Sequence, residues 1–521
     1  LLCFKGTSPF GKLFQCRSML KNKWYRKGIP LLMLAILAYF PLFLHLDTNP
    51  VKAWDESLFA LRAYSMAYYG KYLCAFDELP EAEPAPNTKP PLITWVQAGL
   101  FHLIGYGELA LRLPIAFSAL GILLTFLLLS WYHQRNYHWG MLASLVLLTT
   151  DGFIHEHMAR TGDHDVPLAA FSLLILLGAY RFDASEGKDQ RAIFLMAIAW
   201  LGGFLTKGSA ALFFLPGIFV FFLAKKRLLP LMKHRATWWS LLGVSVALGA
   251  YLLYQEWSCP GFVLKMNRFE GVGHFVKARQ GHQHPWDFYL KSWYEWKFTY
   301  WLPWLIPSAF LFWHAKYRAW RPVLGLIWAC TISATLTISL SGTKLVWYDA
   351  VILPLLALLT GFSLLVLWES ICQWLTLTDY LRQYLAGTVF FLVIGLVPYL
   401  AILDKVYFPQ ERMYVDERYP FLMEKLATYH PEEIDYAILQ TYRGNHILFY
   451  RYLYNHHQGY QIRRYRDLAE VIQGDKLMIC QPDINEYFRT WFEFEIVESY
   501  ENCYLYRVGP QTQAGEQALA D

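Results

Sequence analysis

The sequence predicts a polytopic α-helical membrane protein that ends in a small α/β domain. Three observations predict it. Hydrophobic residues make up 55% of the 521-residue chain and charged residues only 17%, against about 25% charged in an ordinary soluble domain. The apolar residues gather into long runs rather than spreading at helical or strand periods, and a run of about 20 crosses the hydrocarbon core. After residue 404 the runs give way to short segments of mixed character.

The runs fall at 30–46, 112–131, 139–154, 166–180, 192–206, 209–224, 237–254, 301–313, 322–340, 350–368 and 386–404. That is about eleven spans, or about ten to thirteen if short runs are merged or split. The 21 Trp and 35 Tyr suit the class, because both concentrate at membrane–water interfaces. Anchoring or packing is therefore the ordinary role of any single aromatic residue.

Lys and Arg in short loops mark the cytoplasmic side. The N-terminal segment holds Lys5, Lys12, Arg17, Lys21, Lys23, Arg26 and Lys27. With that end inside, alternate loops should also be basic. They hold Arg181, Lys188 and Arg191, then Lys225, Lys226, Arg227, Lys233 and Arg235, then Lys316, Arg318 and Arg321. The outer side takes 47–111, the turns 155–165, 206–208 and 341–349, the loop 255–300, and everything after 404. Net charge is a modest +5, and no nucleic-acid partner is expected. The chain starts with Leu rather than Met, which points to a few residues upstream.

Residues 47–111 make a large first outer loop. In it, "LFALRAYSMAYYG" has apolar residues at helical spacing and stops at Gly70, as a membrane-surface helix would. Residues 71–91 are rich in Pro and acids and read as irregular. "PLITWVQAGLFHLIG" offers roughly 13 apolar-biased residues, too few to cross, and is expected in the interface.

Beyond the membrane domain of residues 1–404, "IDYAILQ", "DKLMICQP" and "FEIVESYENCYLYRVG" read as strands. "HILFYRYLYNHH" and "DLAEVIQG" read as helices. They make an outer α/β domain over 405–510, followed by a polar tail, 511–521, expected to be disordered. There is no internal repeat. The eight cysteines show no C-x-x-C spacing. Cys480 and Cys503, both in the outer domain, would pair in an oxidising compartment, with buried free thiols the alternative.

The unusual polar residues gather on one side: Asp55–Glu56, Lys89, "RTGDHD" (160–165), "TKG" (206–208), "GHQHPW" (281–286) and "SGTKLVWYD" (341–349). Ionisable groups at the ends of spans tend to line cavities or pathways. Each also has a plainer reading. Asp55 would cap a helix beginning near Ser57, and Asp163 or Asp165 one beginning near Val166. Lys89 would snorkel before Pro90 and Pro91, and Lys207–Gly208 would turn a helical hairpin. None of His155, His157, His274, His282 or His284 has the spacing of a metal site. Taken together, acids beside fixed cations at the bilayer edge suit a reaction on an anionic, lipid-linked substrate, with the cations on phosphate and an acid taking a proton.

In order along the chain, "WDE", "KPPLITWVQA", "ELALRLPIAF", "ARTGDHDVPL", "FLTKGSAALFFLPG", "HPWDFYLKSW" and "SGTKLVWYDAVILP" resemble a membrane glycosyltransferase family. It includes the protein O-mannosyltransferases and the bacterial aminoarabinose transferases of lipid A. The resemblance covers about residues 20–360. It implies the GT-C fold, with about 11–13 transmembrane helices. It also implies an inverting transfer of sugar from a polyprenyl monophosphate to a glycolipid, glycan or protein acceptor. The implied setting is the outer, periplasmic face of a bacterial inner membrane.

The family's first acid matches Asp55, the implied general base, with Glu56 as a less certain catalytic partner. Its second matches Asp165, with Asp163 as substitute. Lys89 and the Lys344/Tyr348 pair match positions expected to contact donor phosphate, and Lys207 joins them as a nearby cation. No cofactor is required. The aminoarabinose branch can carry a structural zinc or other divalent cation here, for which His284 is the first candidate ligand. In that branch an Arg–Tyr pair follows the "DE"; here Leu58 and Phe59 stand there, with Arg62 one turn on as a compensating cation. Specificity for another sugar or acceptor is therefore favoured. The alternatives are a transporter or flippase, or a polymerase, for lipid-linked glycans.

Overall fold

The computed structural model of the protein describes residues 23–73, 88–155, 157–270, 282–376, 380–407, 415–441 and 444–520. Lys5, Lys12, Arg17, Lys21 and His274 lie outside them, as does most of the irregular stretch in the first outer loop.

The chain opens with α1 (Lys23–Leu42) and continues through two helices of the 47–111 segment, α2 (Asp55–Tyr69) and α3 (Leu92–Ile104). The bundle then runs through α4 (Glu108–Gln134), α5 (His138–Leu148), α6 (Asp165–Ala184), α7 (Gln190–Lys207), α8 (Leu215–Ala224) and α9 (Arg235–Ser258). It ends with α10 (Leu302–Trp313), α11 (Arg321–Leu340), α12 (Leu353–Trp374) and α13 (Tyr380–Tyr407). Every apolar run read from the sequence overlaps one of these helices. Among the described residues, 7 helices are long and apolar enough to cross a membrane, beside the shorter apolar helices Gly28–Leu42, Leu92–Ile104, His138–Leu148, Leu215–Ala224 and Leu302–Trp313. The chain is a multi-pass membrane protein.

Helices in lipid gain little from hydrophobicity against one another, so close backbone approach through small residues does more. At Gly361 a Cβ would stand 2.8 Å from the Ala143 nitrogen, and at Gly140 one would stand 2.7 Å from the Phe126 carbonyl oxygen. These glycines let α12 and α4 close on α5. By contrast α9 leaves Trp239, Val246, Leu253 and Trp257 exposed, and α13 leaves Val389, Val393 and Val397 exposed, as lipid-facing helices do.

One element departs from expectation in its setting. α2 ends where the sequence puts its stop, at Gly70 in the left-handed region (φ 69°). It does not lie half-exposed on a membrane surface. Ala60, Leu61, Tyr64 and Met66 are buried in a cluster with Phe101 of α3 and with residues from the C-terminal domain. A helix that is apolar over most of its circumference is a buried one. Its second partner stands nearly 400 residues away in the chain, out of reach of any local pattern.

That partner domain holds α14 (Tyr419–Tyr429), β1 (Asp435–Leu439), α15 (Asn445–His457), β2 (Gln461–Tyr465), β3 (Lys476–Ile479), α16 (Pro482–Trp491), β4 (Phe492–Tyr500), β5 (Cys503–Gln511) and α17 (Gln513–Ala520). The sheet order is β2-β1-β3-β5-β4, with β1 parallel to β2 and β3, and β5 antiparallel to β3 and β4. β3 and β5 run opposite with Ile479 facing Tyr504, so Cys480 and Cys503 meet and form a disulfide.

Several local readings change. "QIRRY" is an edge strand whose two arginines masked it. "PDINEYFRTW" is a helix with only Asn485 and Phe488 buried. "DLAEVIQG" holds only a 3-10 turn, Leu468–Glu470. The tail expected to be disordered includes α17, which packs against α16.

The domain is fastened to the segment just ahead of α2. Lys52 Nζ and Glu417 form a buried ion pair at 2.7 Å. The Val51 N–H donates to the Tyr450 hydroxyl at 2.9 Å, and that hydroxyl in turn donates to Glu108. Farther along α2, the Tyr64 hydroxyl lies 2.8 Å from His456 Nδ1.

Candidate active site

Asp55 is the first residue of α2. The preceding Trp54 holds the cap position without a side-chain cap, so Asp55 does not serve as the N-cap that its composition allows. Its carboxylate stands at the positive end of the helix dipole. Burial pushes its pKa up, but the charges of Lys89, His157, Lys207 and Arg62 outweigh that and hold it below the ordinary aspartate value. It is an ionised carboxylate among cations.

Glu56, the next residue, is fully buried and wholly engaged. It accepts from Arg112 Nε at 2.7 Å and Nη2 at 3.0 Å, from the Lys52 N–H at 2.8 Å and from the Gly162 N–H at 2.6 Å. Arg112 spends its remaining donors on the carbonyls of Leu46, Asn49 and Pro50. Gln97 of α3 completes the clamp, with Nε2 donating to the Gly162 carbonyl at 2.9 Å. One carboxylate thus ties the start of α2 to the 160–165 turn. All its strong partners are groups of the protein itself.

The 160–165 turn carries the next acids. Asp163 is buried, accepts from the Thr161 hydroxyl at 2.6 Å, and lies 3.3 Å from His157 Nδ1. The His157 ring stacks on Trp347 at 3.8 Å. Burial would lower the imidazole's pKa, but Asp163, then Asp55 and Asp165, push it up to about 9. Asp165, first residue of α6, pairs with Lys207, last residue of α7, at 2.5 Å. Lys207 Nζ stands 5.7 Å from the Tyr348 ring centre. Between these acids, His164 is fully buried, stacks on Phe59 at 3.7 Å, and lies 3.3 Å from the Thr206 carbonyl through Nδ1. Burial, with Lys89, Arg62 and Lys207 nearby, holds its pKa well below the usual histidine value.

The 341–349 segment is fixed from behind. Asp349 is buried, pairs with Lys297 at 2.6 Å, and accepts from Trp293 Nε1 at 2.8 Å. Lys297 ends a π-helical turn, Trp293–Lys297. Such turns recur near functional sites.

Of the residues singled out in sequence, Asp55, Lys89, Arg62, Asp163, Asp165, Lys207 and Tyr348 come together. Lys344 is buried, with Nζ donating at 2.7 Å to Ser341 of its own loop, and its backbone N–H donating to the His282 carbonyl. His284 stacks on Phe288 and joins no cluster of metal-ligating atoms among the described residues. The cluster that does form, within 4.8 Å, is Asp55, His157 and Asp163. Two carboxylates and an imidazole are a donor set that fits a divalent cation. His157, Arg112, Lys297 and Asp349 were not picked out for the site from sequence. Arg112 and Asp349 did lie inside quoted motifs, as charges at the heads of apolar helices. The cationic loop Arg181–Arg191 lies at the far ends of α6 and α7 from Asp165 and Lys207, so that loop and the Asp165–Lys207 pair occupy opposite ends of one hairpin.

This architecture is the GT-C fold. Residues 88–254 match the model of the family described as dolichyl-phosphate-mannose-protein mannosyltransferase. The chain is similar to ArnT from Cupriavidus metallidurans bound to undecaprenyl phosphate, with TM-score 0.62, 15% identity, and coverage of 92% of this chain and 99% of that one. Against ArnT from the same organism in the apo state the TM-score is 0.64 at 16% identity, with the same coverage. It also resembles the Archaeoglobus fulgidus oligosaccharyltransferase in the apo form, with TM-score 0.50 and 15% identity, covering 82% of this chain and 64% of that one. No curated protein matches the sequence.

Proposed function

We propose that the protein transfers a sugar from a polyprenyl monophosphate to a hydroxyl or phosphate acceptor on a lipid, glycan or protein. The reaction takes place at the outer, periplasmic face of a bacterial inner membrane. The observation that carries this reading is the ionised carboxylate of Asp55 at the head of α2, with Lys89, Lys207 and Arg62 around it and Asp163 and Asp165 beside it. The undecaprenyl phosphate bound to ArnT supports a lipid phosphate as the donor's leaving part.

In this mechanism Asp55 accepts the proton of the acceptor hydroxyl as its oxygen forms a bond to the anomeric carbon. The bond from that carbon to the phosphate oxygen breaks from the opposite face, inverting the centre. The lipid phosphate leaves with the electron pair. Lys89, Lys207 and Arg62 stabilise its growing charge in a site that excludes water, and Tyr348 packs beside Lys207. Lys344 lines the same segment. Glu56 and Arg112 keep Asp55 and Asp163 at a fixed separation. No metal is required by this chemistry. A divalent cation held by Asp55, His157 and Asp163 would supply charge stabilisation for donor phosphate.

The test is incubation of purified protein with undecaprenyl-phosphate sugars and candidate acceptors, reading released undecaprenyl phosphate. Asp55→Asn should lower release by about 10²–10⁴-fold while membrane insertion is unchanged. Full activity in that variant rejects Asp55 as the base.

A further inference from the structure

We infer that His164 is a specificity-determining residue that accepts a hydrogen bond from a hydroxyl of the donor sugar, through an Nε2 atom left open for it. The inference deepens the proposed glycosyl transfer and rests on it for the identity of the ligand.

The geometry assigns the tautomer. Nδ1 lies 3.3 Å from the Thr206 carbonyl oxygen, which can only accept, so Nδ1 carries the proton and Nε2 carries a lone pair. Nε2 is buried and has no hydrogen-bond partner among the described residues. A buried acceptor left unmatched is unfavourable, and a ligand donor would relieve that cost. The ring cannot swing away to find water. It is fully buried, is stacked on Phe59 at 3.7 Å and 17°, and belongs to the turn that Glu56 and Gln97 hold through Gly162.

Its place is within the site. Asp163 and Asp165 flank it in sequence, Thr206 immediately precedes Lys207, and Phe59 lies one turn after Asp55. Lys89, Arg62 and Lys207 act on the ring electrostatically. Those three cations suit the donor's phosphate and oppose a second positive charge, so the group that meets Nε2 is a neutral hydroxyl rather than an ammonium. Phe59 has a part in this, because it stacks on the imidazole and brings no hydroxyl that would satisfy Nε2 internally.

The experiment measures equilibrium binding of bare undecaprenyl phosphate and of its mannosyl, glucosyl and aminoarabinosyl derivatives to the purified full chain. Wild type should bind at least one neutral hexosyl derivative more tightly than the bare lipid. His164→Phe keeps a ring on Phe59 and removes the acceptor. It should cut that sugar-dependent gain by about tenfold and leave affinity for the bare lipid unchanged. His164→Gln, which restores an acceptor, should recover part of the gain. Should the phenylalanine variant fail to insert, His164→Met serves as the same deletion.

An unchanged ratio in the deletion variant overturns the inference, as does a wild type that prefers no sugar-bearing lipid. A His164-dependent gain confined to the amino sugar overturns the hydroxyl assignment. Binding is read without turnover, so the two readings fail separately. A His164-dependent preference with no lipid phosphate released under any acceptor rejects the transferase and keeps the binding role. Normal turnover with an unaltered ratio does the reverse.

Discussion

At Asp55 and Glu56 the chain sets two carboxylates side by side, and their surroundings divide the labour. Asp55 feels the charges of several cationic side chains, whereas Glu56 meets a guanidinium and two backbone N–H groups. Removing one member of a buried ion pair strands the other, at a cost of about 3–5 kcal/mol. Glu56→Gln should therefore lower the unfolding temperature in detergent markedly, and more than Asp55→Asn does. The dependence on pH has a definite sign. Burial raises the Glu56 pKa, but Arg112 and the two N–H donors lower it by more, so the folded value lies below the ordinary glutamate value. Its contribution is complete above that unfolded value and is lost as pH falls through the folded one. The gap in unfolding temperature between wild type and Glu56→Gln should be full at pH 7 and shrink under acid conditions. A gap that widens in acid would refute the clamp. At this scale the sequence reveals residue types and not partners. Asp55, Lys89, Asp165 and Lys207 are legible because they sit in ordered motifs at span ends. Glu56 looks like a second acid until Arg112, 56 residues away, is placed against it. His157 is invisible to spacing because its turn has no regular period; its own φ is 60°.

Among elements, the apolar runs are the most legible feature, since a bilayer imposes length and composition together. What they do not reveal is how the segments between them are braced. The 341–349 segment carries Lys344 and Tyr348, and its end is held by the buried Asp349–Lys297 pair. Asp349 reads in sequence as the last letter of a motif, and Lys297 as one cation in an aromatic stretch. Lys297→Met would leave the Asp349 carboxylate buried without its counter-charge, with only Trp293 Nε1 still donating to it, at about 3–5 kcal/mol. The double change Lys297→Met with Asp349→Leu should recover most of that stability, because both charges leave the interior together. A double variant no more stable than the single one would argue against the pairing. β2 and α16 were missed for a related reason. One is an edge strand rich in arginine, and the other carries a narrow apolar stripe, so neither announces itself by hydrophobicity.

Across the whole molecule, the C-terminal domain is built as a separate sheet yet shares its apolar cluster with α2 and α3. Sequence composition separates the domains cleanly at the end of the last span and gives no sign that they share a core. Within the sheet, the Cys480–Cys503 disulfide closes a loop with a sequence separation of 23, and bridges of this kind contribute about 2–4 kcal/mol. Reduction, or the Cys480→Ala/Cys503→Ala change, should lower the domain's unfolding temperature without altering membrane insertion. An unchanged unfolding temperature would show that the bridge constrains nothing.

The burial of α2 has a mechanical consequence. Tyr64, gripped by His456 of the C-terminal domain, lies nine residues after Asp55 on one unbroken helix, about 13 Å along its axis. A helix that short does not flex enough to absorb a displacement at one end. It works as a strut between the sheet domain and the reacting carboxylate. A shift of the sheet domain against the membrane would therefore arrive at Asp55 as a change of position, with no hinge between them to dissipate it.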